Sequence, residues 1–465
     1  MECFAIYSDK IEGRYDPHFY RPEFYKLGNN LKNNNHKLLG DVIEFSSETW
    51  DQKGIFENEF PYIEISEINT ISGEIQNILY CKKSAAPSRA KMIVRENDII
   101  VSTTRPNRGA IALIDKEKDG FIASTGFAIL RKPKVNIDKN YLLFFLRTQL
   151  SLNQMLQKSS GGNYPAITTE ELKQIIIPIP SKQTQAKIIQ LMGQAYVLKK
   201  SKEAEAQKLL DSINDYVLDE LGIKLPELKD KMCFVTDSQE TMRRADPYYF
   251  LPKYKELYKS INNYKNIKLL KDIVEELDYG LMPTQDYAKS EKDGVSMIRV
   301  TNIMQNGSID MSDVKYIPFD TPKLDKKRVK ENDILMVQCG STTGKIAVVP
   351  KEYRDYTFGS FSFVIRGKKE IVNQFYLFAI LLNNLIQEQI KHTWNIVTVR
   401  PNTSKPNVEN LLIPLPLLEI QNIIAEEVKN RQSKAKQLQE EAKELLSKAK
   451  QEVEKLILGK KSKKG

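Results

Sequence analysis

The chain has 465 residues, of which 41% are hydrophobic and 28% charged, a balance that excludes disordered and fibrous classes and fits about two to four globular domains. Lys and Arg number 70 against 60 Asp and Glu, and the resulting net charge of +10 favours a polyanionic partner without dictating a fold. Met1-Glu2-Cys3-Phe4 does not open a secretory leader, and the most apolar run, Leu377 to Leu382, is far short of the roughly 18 residues that span a bilayer. A cytoplasmic chain with no membrane partner is expected.

Taken in order, the first half opens on Arg14-Tyr15-Asp16-Pro17-His18-Phe19-Tyr20-Arg21-Pro22. Tyr62-Ile63-Glu64-Ile65 alternates like a strand, and Asp98-Ile99-Ile100-Val101 reads as a more buried one. Tyr141 to Leu150 reads as a short apolar helix. Ile177-Pro178-Ile179-Pro180 then closes the globular part, because proline holds itself and its predecessor in extended conformations. A proline-free helical segment follows, with Ala206, Leu210, Ile213, Val217 and Leu221 at three- and four-residue spacing among Lys, Glu and Gln. That is a narrow apolar seam on a charged rod.

The second half repeats this plan. Arg244-Ala245-Asp246-Pro247 returns at an offset of 230 from Arg14-Tyr15-Asp16-Pro17. Asn332-Asp333-Ile334 and Gly344-Lys345-Ile346-Ala347 lie 235 residues beyond Asn97-Asp98-Ile99 and Gly109-Ala110-Ile111-Ala112. Met297-Ile298-Arg299-Val300 and Asp333 to Val337 are the returning strands, and Tyr376 to Ile386 the returning short helix. Ile413-Pro414-Leu415-Pro416 closes the copy at an offset of 236. Its rod carries Leu438, Ala442, Leu445, Ala449, Val453 and Leu456. A period this long is a domain-sized duplication rather than a solenoid unit.

Each rod alone leaves its seam exposed, and two rods in one chain can bury it against each other. If a local two-fold axis relates the copies, the rods run antiparallel. The expected fold class is α+β: two tandem β-rich domains, each followed by a long helix, the helices forming an antiparallel coiled-coil spacer with pseudo-two-fold symmetry. The expected boundaries are 1–180 and 226–416 for the two domains, and 181–225 and 417–465 for the two spacer helices. Packing of each rod on its own globule is the alternative.

In landmark order, duplication and rods, the chain resembles the DNA-specificity subunit of type I restriction-modification systems. The resemblance rests on Arg14-x-Asp16-Pro17 with Tyr20 and Pro22, on Asn97-Asp98-Ile99 leading to Gly109, and on Asn332-Asp333-Ile334 with Gly340-Ser341-Thr342-Thr343-Gly344-Lys345. Gly162-Asn163-Tyr164-Pro165-Ala166-Ile167 and the two Pro-x-Pro closures complete it, and it covers essentially the whole chain. Two departures stand out. Thr184-Gln185 and Ile420-Gln421 keep only the Gln of the family's Glu-Gln pair, and the glycine-bounded run is intact only in the second copy, the first reading Thr104-Arg105-Pro106-Asn107-Arg108-Gly109.

The resemblance implies a non-catalytic, phage-defence adaptor. Each globule would be a target recognition domain reading one half of a split, asymmetric site in double-stranded DNA. The rods would set the spacing and dock two methyltransferase subunits. S-adenosylmethionine, ATP and Mg would belong to partner subunits, including an ATP-dependent motor-nuclease, with no cofactor in this chain. A rod of about 36 residues is roughly 54 Å long, enough to reach two major-groove faces about one turn apart.

Phosphate contacts call for Lys and Arg, and base contacts for Arg, Asn, Gln, Ser or Thr. The DNA-binding candidates are Arg105, Asn107, Arg108, Asn163 and Tyr164 in copy one. In copy two they are Gln338, Ser341, Thr342, Lys345, Arg400 and Asn402. Each could equally be a solvated turn residue. The run Gly340 to Lys345 has three residues between its glycines and Ile346 after the Lys, which does not make a phosphate loop; a tight glycine turn between strands fits better. Asp16-Pro17-His18-Phe19 and Asp246-Pro247-Tyr248-Tyr249 lack the second Pro of an adenine-methyltransferase motif. The scattered Cys3, Cys81, Cys233 and Cys339 and the isolated His18, His36 and His392 give no catalytic or metal set. The competing readings are a two-headed scaffold, a recognition subunit of another phage-defence complex, and a self-contained nuclease or methyltransferase.

Overall fold

A computed structural model describes residues 11, 14–52, 54, 56–162, 164–226, 233–236, 246–283, 285–394 and 401–459. The chain forms two compact units, one of residues 1–202 with 440–465 and the other of residues 203–439. Both β-rich parts follow one plan.

In the first unit, an antiparallel sheet runs in the order Ile43–Ser46, Phe127–Pro133, Ile99–Ser102, Ile111–Leu113. The second unit repeats it as Val274–Tyr279, Ser362–Gly367, Ile334–Val337, Ile346–Val348. A second sheet lies in each unit. It has Leu79–Lys82, Glu59–Ile63, Ile122–Ser124 and Ala90–Ile93 in the first, and Lys315–Pro318, Gly294–Ile298 and Thr357–Phe358 in the second. The continuous apolar runs Ile99–Ser102 and Ile334–Val337 are buried along their whole length, as expected of central strands covered on both faces. The alternating segments behave differently. Their strands end at Ile63 and Ile298, and the next residues turn into 3-10 turns at Ile65–Glu67 and Val300–Asn302.

The short apolar helix expected at Tyr141 to Leu150 is two helices, Lys139–Leu146 and Gln149–Lys158. The same break divides Gln374–Leu382 from Asn384–His392. In the second unit Asn383 causes it: its side chain accepts the Leu385 N–H and starts a new helix. The two arms of each break wrap the sheet, and Tyr141 and Tyr376 are fully buried there. Their hydroxyls donate to the Pro178 and Pro414 carbonyls at 2.8 and 2.6 Å. Each Pro-x-Pro segment ends a two-stranded ribbon, His36–Leu38 with Ile176–Pro178 and Ile267–Leu269 with Leu412–Pro414.

The retained glutamines explain the turn from ribbon to rod. Gln185 is buried, accepts the Asp138 N–H at 3.0 Å and donates to the Pro180 carbonyl at 3.0 Å. Gln421 does the same with Asn373 N–H and the Pro416 carbonyl, both at 2.8 Å. A buried amide satisfied on both sides fixes where each long helix leaves its globule.

The long helices are Lys182–Leu221 and Leu418–Ile457, each 40 residues. In the first unit Ile188, Met192 and Ala195 share a core with Leu446, Ala449, Val453 and Ile457, and Lys202 pairs with Glu441 at 2.6 Å. In the second unit Ile213, Val217, Leu218 and Leu221 share a core with Ile424, Ala425 and Val428. Ala206 meets Ala435 and Leu438 there, and Arg431 donates to the Ser212 carbonyl while lying over Tyr216. Within each unit, rising numbers on one helix meet falling numbers on the other, so the helices run antiparallel.

The expected seam residues Ala206, Ile213, Val217, Leu221, Leu438, Ala442, Ala449 and Val453 are buried, with Leu210 half-buried. Leu445 and Leu456 are corrected: they flank the seam half-buried, and their neighbours Leu446 and Ile457 fill it. Ala435, Leu446 and Ile457 are spaced by 11 residues, a step that follows a nearly straight helix better than a heptad does. Among the described residues no helix is long and apolar enough to cross a membrane.

Tyr141→Phe and Tyr376→Phe each delete one buried hydrogen bond. Each is expected to lower stability by about 1–2 kcal/mol, read as a lower urea midpoint with an unchanged slope. An unchanged midpoint in both variants would show that these hydroxyls do not hold the helix to the ribbon.

Candidate nucleic-acid interface

The candidate side chains sit on a backbone construction made twice. In the first unit, the chain leaves Ile99–Ser102 and turns at Arg105, whose φ of 48° is left-handed. It then forms a 3-10 turn at Pro106–Arg108 and returns through left-handed Gly109. A left-handed non-glycine residue costs about 1–2 kcal/mol, and it survives where its surroundings hold it. Here the Arg105 N–H donates to the Pro165 carbonyl at 2.7 Å, and the Ile167 N–H donates back to Thr103 at 2.9 Å. Ser160 and Ala166 exchange two further bonds of 2.8 Å, and the Thr103 N–H donates to Gly126 at 2.8 Å. The turn is thereby laced to residues 160–167 and to the strand turn at Gly126.

The Arg105 guanidinium lies 4.0 Å from the centre of the Tyr164 ring, and Tyr164 is 70% exposed. Arg108 is exposed and Asn107 half-buried, with buried Pro106 between them and Arg105. Arg105, Asn107, Arg108 and Tyr164 are therefore brought together on one edge of the unit.

The second unit repeats the lacing. The Gly340 N–H donates to the Pro401 carbonyl at 3.0 Å, the Thr403 N–H to Gln338 at 2.9 Å, and the Gln338 N–H to Phe361 at 2.9 Å. Gly340, at a φ of 104°, stands where Arg105 stands, and Gly344 where Gly109 stands. Ser341 is exposed and Thr342 half-buried. Thr343 is buried instead, its hydroxyl shared between the Gly340 and Pro401 carbonyls. The run is a glycine turn joining two antiparallel strands, Ile334–Val337 and Ile346–Val348. A phosphate cradle would lead into a helix.

Asn402 is bridged to Cys339 beside this turn. Gln338 and Lys345 are half-buried, as Arg105, Asn107 and Thr342 are. The Gln338 amide donates to the Ser360 carbonyl at 3.2 Å and serves the lacing. Lys345 lines a cleft with Asp211, Asp215, Asn306 and Gln387, at the base of the turn. Asn163 and Arg400 lie outside the described residues, as do Arg244 and Ala245.

The landmarks shared by the two copies hold these turns in place. Asn97 and Asn332 both take a φ of 66°, a left-handed conformation that asparagine tolerates well. The carboxylates after them are buried. Asp98 receives the Arg131 guanidinium at 2.9 Å, and Asp333 receives Arg366 at 2.6 Å. Each arginine also reaches a second carboxylate, Glu48 or Glu276. The Arg95 hydrogen bond holds Glu48 below the usual carboxylate range against partial burial, with Arg131 assisting.

Arg14 belongs to the same frame. Its guanidinium donates to the Lys158 and Ser159 carbonyls and to Glu171, all at 2.9 Å, tying down the start of the segment that carries Tyr164. The carboxylates of Asp16 and Asp246 accept the N–H two residues on and shape the Asp-Pro turn. His392 is buried, stacked on Tyr249 and hydrogen-bonded through both ring nitrogens. Among the described residues no cluster of three or more His, Cys, Asp or Glu side chains is placed to hold a metal ion.

The candidates drawn from sequence omit Ser360 and Phe361, which close the lacing of the second unit. Polar and basic groups mark a DNA-contacting side chain in sequence, and the Phe361 ring carries no such group.

Removing Arg131 would leave Asp98 buried without its cation. Arg131→Met is expected to cost about 3–5 kcal/mol, and adding Asp98→Asn should recover part of that loss. Chemical denaturation of the three variants measures it, and equal midpoints for wild type and Arg131→Met would remove the ion pair from the frame.

A family model described as the type I restriction modification DNA specificity domain matches the chain twice, over residues 32–209 and 262–447. The specificity subunit of the type I restriction enzyme HindI from Haemophilus influenzae is 30% identical over 162 residues, 33% of this chain and 33% of its own length. The MjaVIII specificity subunit from Methanocaldococcus jannaschii is 24% identical over 359 residues, 73% of each chain. Among solved structures, a chain from work on complex assembly and conformational transition of the type I R-M system superposes with a TM-score of 0.51 at 20% identity. That match covers 92% of this chain and 98% of the other, and it supports the same fold.

Proposed function

The chain belongs to the type I restriction modification DNA specificity family, and from that membership we propose that it is the non-catalytic specificity subunit of a type I restriction-modification complex. Each unit reads one half of a bipartite, asymmetric site in double-stranded DNA. Two methyltransferase subunits dock on the long helices and supply S-adenosylmethionine for adenine methylation. An ATP- and Mg-dependent motor-nuclease is the further partner.

The observation that carries this reading is the repeated lacing with unlike side chains. Arg105, Asn107 and Arg108 occupy the positions of Gly340, Thr342 and Thr343 at an offset of 235, while the backbone bonds beneath them are the same. A shared frame that presents a guanidinium edge in one unit and the Ser341 and Thr342 hydroxyls in the other, with Thr343 turned inward, suits two different half-sites. Arg pairs in two-point fashion with guanine, whereas Ser and Thr accept more than one base edge. Arg108, the exposed member, is suited to a phosphate and Arg105, braced on Tyr164, to a base.

Modified-base sequencing of a host with and without this gene, beside its methyltransferase partner, tests the reading. The expected result is a methylated-adenine motif split by an unspecified spacer and lost with the gene. Its absence, with the protein expressed and partnered, would favour a two-headed scaffold. Arg105→Ala with Arg108→Ala is expected to relax one half of the motif only, with a loss of about 1–3 kcal/mol at the affected base. Relaxation of both halves would overturn the assignment of these residues to one unit.

The helix seam gives a second test. Val217→Glu or Val453→Glu places a charge where the valine is fully buried, at a cost of several kcal/mol. Loss of co-elution with the methyltransferase on a sizing column is expected. Unchanged co-elution would show that docking does not need the paired helices.

A further inference from the structure

We propose that Phe361 is a specificity-determining residue of the second unit and reads the 5-methyl group of a thymine in that unit's half-site. The inference rests on the DNA-reading function proposed above and adds a residue class that polar candidates do not supply.

Phe361 occupies the turn between Thr357–Phe358 and Ser362–Gly367, and it is 56% exposed. An exposed aromatic is unremarkable by itself, but this one is built into the candidate reading turn. Its carbonyl accepts the Gln338 N–H, and the carbonyl of its neighbour Ser360 accepts the Gln338 side-chain amide. The turn is also fixed from the other side. The Ser360 N–H donates to Leu281 at 2.9 Å, the Leu281 N–H to Phe358 at 2.7 Å and the Gly280 N–H to Ser362 at 3.1 Å. A Cβ at Gly280 would fall 2.3 Å from the Gly359 carbonyl oxygen, so the close approach of these two segments requires glycine there. Met282, 71% exposed, follows directly on this laced segment. The ring is thus carried on a rigid mount, and a second exposed apolar side chain, Met282, follows the segment bonded to it.

The first unit shows what the position does without a side chain. There the carbonyl that accepts the Thr103 N–H belongs to Gly126, 235 residues before Phe361. A Cβ on Gly126 would meet Ile65 at 2.7 Å, so that unit has no room for a side chain without displacing Ile65. One backbone site, fixed by equivalent hydrogen bonds, is therefore filled by an aromatic ring in one unit and empty in the other. That is the kind of difference by which two readers on one frame would differ in the bases they accept.

The chemistry selects the ligand group. A phenyl ring offers no hydrogen bond to a phosphate or to the polar edge of a base. In the major groove only thymine presents a methyl group, and apolar side chains including Phe contact it. The turn that carries Phe361 is bonded to Gln338, at the start of the segment that carries Ser341 and Thr342, which favours DNA over a protein partner for this patch.

The test uses the full methyltransferase complex on duplexes carrying the site found by modified-base sequencing. Each thymine of the half-site assigned to the second unit is replaced in turn by uracil, which removes only the methyl. One replacement is expected to weaken wild-type binding about fourfold, the worth of one buried methyl group. The same replacement should leave Phe361→Ala binding unchanged, and Phe361→Ala should relax the motif at that base pair alone. The uracil series on wild type does not depend on how the variant folds.

Wild-type binding indifferent to every uracil would overturn the proposal while leaving the bipartite motif, and the reading of the whole chain, intact. A uniform loss of DNA affinity in Phe361→Ala, with no base position relaxed, would also overturn it and point to a wedge between base steps. Loss of methyltransferase co-elution in Phe361→Ala would overturn it in favour of a protein contact. A wild-type complex with no gene-dependent motif would take down both this proposal and the function on which it rests.

Discussion

The structure depends on covering one apolar stripe twice. A helix of 40 residues with a single narrow apolar face gains little stability alone, because most helical stability in proteins comes from packing that face. In the first unit Ile188, Met192 and Ala195 are covered by Leu446 to Ile457, and in the second Ile213 to Leu221 are covered by Ile424 to Val428. The first unit is therefore not a continuous stretch of chain. The first needs residues beyond 439 to complete its core, and the second begins within a helix that starts in the first. Duplication makes this closure possible, since the covering face is a copy of the covered one.

The same economy shapes the reading edge. A loop that must present variable side chains needs a backbone that those side chains do not have to support. Reciprocal bonds between residues 103–105 and 165–167 in one unit, and 338–340 and 401–403 in the other, provide it. Behind them the Asp98–Arg131 and Asp333–Arg366 pairs anchor the preceding strand. Buried ion pairs of this kind add little net stability, but breaking one is expensive. The residues the copies share are largely those that build the frame. The residues by which they differ, Arg105 against Gly340 and Gly126 against Phe361, are those the frame displays.

Periodicity and the internal repeat make the strands, stops and rods legible in sequence, whereas neighbours of equal hydrophobicity do not show which of them faces inward. Leu445 and Leu446 are both leucines, as Leu456 and Ile457 are both aliphatic, and only the facing helix chooses between them. The break in each short helix, at Arg147-Thr148 in one copy and Asn383 in the other, has no glycine or proline to mark it in sequence. Gln338 and Lys345 are half-buried: the Gln338 amide donates to the Ser360 carbonyl, and Lys345 lines a cleft with Asp211 and Asp215. Phe361 carries no polar group, and only the bonds around its turn place it beside Gln338.

The duplication, the order of strands, stops and rods, and the segments that hold the laced turns are all written in local patterns: a repeat offset, runs of apolar residues, proline stops and glycine turns. Which side of each rod faces its partner, which shared residues are buried struts and which side chains remain at the edge are settled by packing. Those outcomes depend on contacts between residues distant in sequence, from Gln338 bonded to Ser360 and Phe361 in one unit to Lys202 paired with Glu441 in the other.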